Sequence, residues 1–442
     1  LTRNVPILPC RCTPEVTMDS TDAPPPFSVQ NAASSALTTA ERRVVGLLAL
    51  VQFVNVLDFM MVMPLGPDFS RELDIPTSNL GIIGGSYTAA ASVSGLVSAF
   101  VLDRFPRKKA LMTVVTGLAL ATIAGAFARG LGSLLAARVV AGAFGGPATA
   151  LALAIVADSV PVQKRGRALG VVMGAFSIAS IFGVPAGLEL ARLGSWRTPF
   201  VAVGLLTLAT VFGARIFMSE PPAGARHAPF TVSKLLSHFR ETDYVLSLAL
   251  GACVMFASFV MVPNIATFVQ KNLGFPREKI GLMYLCGGLA SLVAMQLAGR
   301  ATDRFGATNV GLLGSAAALV PLYFGFANHN PLFHPVVISV LFMGATSVRA
   351  IAFNTVTSRV PSPSERGSFM SLQSTIQHFA SACGAFASSK LLSSNADGKL
   401  VGIEKVAAIS MALTLLVPVL IAVLERRVDG RKLVPVGGPA QA

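Results

Sequence analysis

Asp103-Arg104-Phe105-Pro106-Arg107-Lys108-Lys109 closes a run, residues 75–102, that holds no Asp, Glu, Lys or Arg, and Asp303-Arg304-Phe305 recurs 200 residues later behind another such run. Two further loop signatures keep the register. Val160-Pro161 returns as Val360-Pro361 at the same offset, and Arg165-Gly166 returns as Arg366-Gly367 at 201. One short match is chance, but three in order point to a duplicated unit running twice in the same direction.

The unit is a set of membrane crossings. Ten stretches of 17 or more residues lack Asp, Glu, Lys and Arg: 75–102, 110–128, 139–157, 168–188, 198–214, 244–270, 280–299, 305–348, 367–389 and 406–424. About 20 apolar residues at 1.5 Å rise span the ~30 Å hydrocarbon layer, and without the ten-residue alternation of barrel strands only helices satisfy the backbone there. The stretch 305–348 breaks at Asn328-His329-Asn330-Pro331 and holds one span and the start of another; 44–66 adds one more, interrupted only by Asp58. Twelve transmembrane helices are therefore predicted, at 44–66, 80–102, 110–128, 134–157, 168–190, 198–218, 244–269, 280–301, 308–327, 335–357, 368–391 and 403–424, in an all-α polytopic membrane protein. Composition agrees: 53% of the 442 residues are apolar and 13% charged, against roughly 25% charged in soluble domains. The cysteines (10, 12, 253, 286, 383) show no zinc or disulfide spacing, and those within apolar runs read as buried thiols.

Lys and Arg beside the spans number 20 on the side of both termini and 10 on the other, so both ends are expected in the cytoplasm, with the chain in the inner membrane. The net charge of +14 then answers anionic lipid and needs no nucleic acid. Residues 1–43, polar and carrying Pro24-Pro25-Pro26, are expected to be a disordered cytoplasmic segment without a cleavable signal; Met18 is the first methionine, so 1–17 are expected to be an upstream extension. The longest connection, 219–243, divides the rest into six-helix units 44–218 and 244–424, with 425–442 as a tail.

With the spans in place, Ala99 to Leu111 resembles the helix 2–3 signature of the major facilitator superfamily, G-x-L-a-D-R-x-G-R-K-x-x-L, with Ala99 and Pro106 in place of two glycines. The second copy, Gly299 to Gly306, keeps both glycines. Arg138-Val139-Val140-Ala141-Gly142 resembles the helix 4 motif R-x-x-Q-G without its glutamine. Gly183-Val184-Pro185-Ala186-Gly187, Trp196-Arg197 and the helix 1 stretch around Leu57-Asp58-Phe59 resemble the drug-proton antiporter and sugar-efflux branch. The resemblance implies two pseudo-symmetric six-helix bundles. It also implies that Asp103 meets the N-terminus of helix 11 near Gly367 and Ser368, where a helix dipole favours negative charge. Arg107 would pair with Asp158, and with Arg104, Asp303 and Arg304 these residues would form a cytoplasmic gate. The bland alternative is a positive-inside stop signal.

Charges inside spans are costly and need partners, ~2.5 to 3.5 kcal/mol each on insertion scales. Asp58 in helix 1 and Arg138 in helix 4 lie at similar depth. As a proton-coupling pair they would respond to access: burial favours the neutral acid, the guanidinium favours the carboxylate, and water or substrate shifts the balance. A static pair fixing helix 1 to helix 4 is the alternative. Arg349 in helix 10 has no acid within a span of the second half. Gln52, Asn55, Asn264, Asn354, Gln373 and Gln377 join it as candidate substrate-cavity liners, each alternatively an interhelical hydrogen bond.

No glycine-rich phosphate cradle, metal cluster or catalytic set stands out, so neither cofactor nor enzyme activity is expected. The expectation is a monomeric secondary transporter that exports a small organic compound, a drug, sugar or metabolite, in exchange for protons by alternating access. Its partners are substrate, protons and lipid. A uniporter or importer of the same fold is the near rival; a polytopic enzyme acting on lipids, or a non-transporting receptor, is the distant one.

Overall fold

The structure is a computed structural model in which residues 37–101, 105–218, 239–362 and 366–432 are described. Among them run twelve long helical segments: α1 (Thr39–Met60), α2 (Leu80–Val101), α3 (Arg107–Ala126), α4 (Leu131–Ser159), α5 (162–193), α6 (Arg197–Phe217), α7 (242–272), α8 (Ile280–Phe305), α9 (Ala307–Ala327), α10 (Pro335–Thr357), α11 (Arg366–Leu391) and α12 (Ile403–Lys432). Eleven are long and apolar enough to cross a bilayer. The twelfth, α11, is as long but carries Gln373, Gln377 and His378. It packs on α2 and α7, so much of its surface meets protein, where polar side chains find partners.

Helix pairing states the duplication in three dimensions. In the first half α1 packs on α5 and α6, α2 on α4, and α3 on α4 and α6; in the second α7 packs on α11 and α12, α8 on α10, and α9 on α10 and α12. Each pair repeats with the helix number raised by six. The halves meet along α2 with α11 and α5 with α8, two seams that the same relation exchanges. Leu120, Leu205, Phe212, Leu312, Leu313, Leu415 and Val419 are exposed on α3, α6, α9 and α12. An apolar flank of that size needs lipid against it.

Small residues set the closest approaches. A Cβ on Gly142 of α4 would fall 2.2 Å from the Tyr87 carbonyl oxygen of α2, and one on Gly81 would fall 2.3 Å from that of Ala385 on α11. Glycine is what lets these backbones touch.

Several expected boundaries are corrected. Residues 39–43, expected to be disordered, form the first turn of α1. Thr38 caps it by accepting from the Glu41 N–H while the Glu41 carboxylate accepts from Thr38 N, a capping box that a search for charge-free runs passes over. At its other end α1 stops at Met60 instead of continuing to 66, since Pro64 has no N–H to offer the Met60 carbonyl; a short helix, Gly66–Leu73, follows. In α7 the helix breaks after Phe259 and resumes at Val262–Thr267, one residue ahead of Pro263. Residues 425–432, expected as tail, continue α12. The π turn Ala179–Gly183 in α5 precedes Pro185, whose missing N–H loosens the ladder there. A two-rung antiparallel pair, Ser393–Ser394 with Leu400–Val401, joins α11 to α12.

The start of α1 and the end of α12 share one face, called here the terminal face; the opposite one is the distal face. Just before α2 the chain reads Leu73-Asp74-Ile75-Pro76, and before α8 it reads Leu273-Gly274-Phe275-Pro276. In both, the second residue is left-handed, Asp74 at φ 54° and Gly274 at φ 67°. A short 3-10 turn follows each, Thr77–Asn79 and Arg277–Lys279. This is a fourth copy of the 200-residue register, visible once the backbone is seen to turn alike at both places.

Candidate functional site: a buried ion pair and the seam between the halves

Asp58 lies in the last turn of α1 and Arg138 in the distal part of α4, and the fold brings them together. Arg138 Nη1 donates to Asp58 Oδ1 at 3.0 Å and Nη2 to Oδ2 at 2.9 Å, a two-pronged pair with both side chains buried. The Thr122 hydroxyl of α3 is 2.8 Å from both Oδ1 and the Leu118 carbonyl. It can bridge to the carboxylate or fall back on its own helix. The Arg138 guanidinium lies over the Tyr87 ring of α2, 4.7 Å from its centroid, which adds cation–π attraction in a desolvated place.

Tyr87 extends the network. Its hydroxyl donates to Asn55 Oδ1 at 2.8 Å, and Asn55 Nδ2 donates to the Gly145 carbonyl at 3.1 Å and to Thr149 Oγ1 at 2.9 Å. Gly145 makes room for the hydroxyl, since a Cβ there would sit 2.0 Å from it. Asn55, expected to line a cavity, is thereby corrected to a packed tie between α1, α2 and α4. One edge stays open: among the described residues Arg138 Nε has no partner. The Phe59 ring, next to the acid, contacts Tyr87 at 5.1 Å and, across to the other half, Phe259 at 5.8 Å between centroids.

In the second half Arg349 is buried, donating to Thr414 Oγ1 of α12 and Ser258 Oγ of α7. Of the other expected liners, Gln373 Nε2 donates to Thr357 Oγ1 at 3.2 Å, an interhelical bond. Gln52 and Asn264 are buried, each with a side-chain oxygen that has no partner among the described residues. Gln377 is half-buried and Asn354 exposed. They do not converge on one constellation.

On the terminal face Arg107 Nε donates to Asp158 Oδ2 at 3.0 Å, tying α3 to α4. Asp103 and Arg104 lie outside the described residues. Asp303 and Arg304 are exposed, and the Arg304 guanidinium lies 5.3 Å from the ring of its neighbour Phe305. The N-terminus of α9 is held instead by Glu425 of α12, whose carboxylate accepts from the backbone N–H groups of Ala307 and Thr308 at 2.9 and 2.8 Å.

The distal face holds residues that sequence reasoning missed. Asp68, on the short helix after α1, is 2% exposed and accepts from Arg71 of the same helix at 2.8 Å and from Arg277 of the other half. Arg277 grips it with both prongs, Nε to Oδ1 at 2.9 Å and Nη2 to Oδ2 at 2.8 Å. Beside this clasp Thr77 donates to the Gly398 carbonyl at 3.1 Å, and Ser394 Oγ accepts from Ser78 N at 3.2 Å. On α2 and α11 the contact runs inward from Gly81 to Ser92, whose hydroxyl donates to the Thr375 carbonyl at 3.0 Å. The available signal was Arg277 itself, one residue past the repeated Leu-x-x-Pro.

The sequence profile of the Major Facilitator Superfamily matches residues 48–268 and 247–440. The chloramphenicol resistance protein of Streptomyces lividans is 29% identical over 248 residues, 55% of this chain and 62% of that one. A chloramphenicol efflux pump of Mycobacterium tuberculosis is 25% identical over 271 residues, 60% of this chain and 65% of that one. The chain thus spans about three fifths of the length of these relatives. The crystal structure of a D-xylose-proton symporter superposes with a TM-score of 0.70 at 14% identity, covering 86% of this chain and 96% of the other. Two six-helix bundles in one register, meeting along α2–α11 and α5–α8 and matched over residues 48–440, make this chain a member of the Major Facilitator Superfamily, whose proteins are membrane transporters rather than enzymes.

Proposed function

We propose that the chain is a secondary transporter that exports a small organic compound in exchange for protons, working as a monomer in the inner membrane with its terminal face in the cytoplasm. The observation that carries this reading is the Asp58–Arg138–Thr122 cluster, a charged pair buried in the membrane at the seam side of the first half. Such a pair is costly to bury and weak as a source of stability, which favours a working role. When Asp58 takes up a proton, the two-pronged bond to Arg138 loses its charge assistance and the Thr122 hydroxyl is free to return to Leu118. The Phe59 ring, on the next residue and tilted against Phe259 at 5.8 Å, then feels the change at the contact between halves. Release of the proton restores the grip. Export itself is supported by the Mycobacterium tuberculosis relative, whose name is that of a chloramphenicol efflux pump.

The distal clasp of Asp68 with Arg277 supports a conformation closed on the distal side, so that substrate would enter from the terminal face. Opening the distal side requires this pair to part. The test is transport by everted vesicles carrying the full chain. Uptake of substrate driven by an imposed proton gradient, abolished by Asp58→Asn and by collapse of the gradient, is the expected result. Transport that persists unchanged in either condition would make the protein a uniporter or importer.

A further inference from the structure

The two halves treat their buried guanidinium groups differently. Arg138 is neutralised by Asp58, whereas Arg349, 2% exposed in the middle of α10, meets only neutral hydroxyls: Nη1 donates to Thr414 Oγ1 at 2.7 Å and Nη2 to Ser258 Oγ at 2.9 Å. Among the described residues its Nε–H has no partner. Its hydrogen-bond partners among them are these two hydroxyls, and no Asp or Glu pairs with it. The duplication shows what is missing. Phe59, Met61 and Val62 recur as Phe259, Met261 and Val262, so Ser258 stands where the first half has Asp58.

Hydroxyl groups satisfy the geometry of a guanidinium but leave its charge, and a buried unpaired cation costs far more than two neutral hydrogen bonds return. Five N–H donors are available on the group and the protein bonds use two of them. Nε–H lies on an edge shaped for a two-pronged oxyanion or one halide. Thr414 Oγ1, which accepts from Arg349, has its own proton to offer; Ser258 gives its proton to the Val254 carbonyl at 2.9 Å. We propose that Arg349, with Thr414 and Ser258 as supports, binds a small monovalent anion, either a halide from solution or the carboxylate of a transported molecule. The carboxylate source rests on the export reading; the binding itself does not, and neither does its test.

The test is thermal unfolding of the purified full chain in lipid nanodiscs, at fixed ionic strength, in sodium chloride, sodium acetate or sodium isethionate. Chloride or acetate at about 100-fold over its dissociation constant should raise the midpoint by about 3 °C relative to isethionate. A rise with chloride alone assigns the site to halide, a rise with acetate alone assigns it to carboxylates, and a rise with both assigns it to either anion. Ser258→Asp, which gives the second half a resident carboxylate like that of the first, should remove the dependence while leaving a folded protein. Arg349→Gln should remove it as well. Equal midpoints in all three salts, or full anion dependence retained in Ser258→Asp, overturn the proposal.

Discussion

Replacing Asp58 by Asn isolates what the buried pair contributes, because the amide keeps the shape of the side chain and one acceptor oxygen but removes its charge. The carboxylate takes two bonds from Arg138 and lies 2.8 Å from the Thr122 hydroxyl, with 0% of Asp58 and 1% of Arg138 exposed. Breaking a buried pair by neutralising one member costs about 3–5 kcal/mol, mostly the penalty of the ion left behind. The remaining amide acceptor returns about 1 kcal/mol. A net loss of about 3 kcal/mol is expected, or about 3 °C in the unfolding midpoint of a chain this long. The companion change is Arg138→Gln made together with Asp58→Asn. With no charge left to strand, the double variant should lose less than the sum of the two single variants, while proton-driven export is absent from all three. Thermal unfolding in nanodiscs and vesicle transport on the same preparations measure both quantities. Two results would refute the reasoning: a double variant whose loss equals that sum, or an Asp58→Asn protein that still exports against a gradient.

Other outcomes follow from the seam. Cysteines placed at Ser78 and Ser394, whose hydroxyl oxygens are 3.3 Å apart across the halves, should form a disulfide under mild oxidation when the native cysteines are replaced. Transport should stop and return on reduction; transport that continues in the cross-linked protein would rule out distal opening. Asp68→Asn leaves Arg71 and Arg277 facing each other without a shared carboxylate, and it should raise the labelling rate of a cysteine at Ser394 several-fold; an unchanged rate counts against the clasp. Gly142→Ala drives a methyl group to 2.2 Å from the Tyr87 carbonyl and should sharply reduce recovery of folded protein in detergent. The control Gly46→Ala, with nothing within 4 Å, should be recovered like the parent chain.

The seam also explains which residues were legible early. Asp58, Arg138 and Arg349 announce themselves because a charge in an apolar run is conspicuous whatever it touches. Asn55 and Gln373 announce nothing about direction: the same amide can face a cavity or a neighbouring helix, and only contact shows that Asn55 is spent on Tyr87, Gly145 and Thr149. Asp68 escaped notice because it sits in a connection, where an acid is ordinary until a guanidinium 209 residues away closes on it. Helix ends were misjudged where capping and proline, rather than charge, decide them, as at Thr38 and Pro64.

Amino-acid order alone determined that this chain lives in a bilayer, that it folds into long helical segments, twelve among the described residues, and that the second six are a copy of the first six. Those properties depend on how many consecutive side chains tolerate hydrocarbon and on motifs compared with themselves, both of which are local to the chain. Tertiary structure decided that Asp58 meets Arg138 and Thr122, that Asp68 joins one half to the other, and that Arg349 meets the hydroxyls of Thr414 and Ser258. Such meetings depend on the rotation of each helix about its axis and the distance glycines permit between them, and a run of apolar residues satisfies lipid equally well at any rotation.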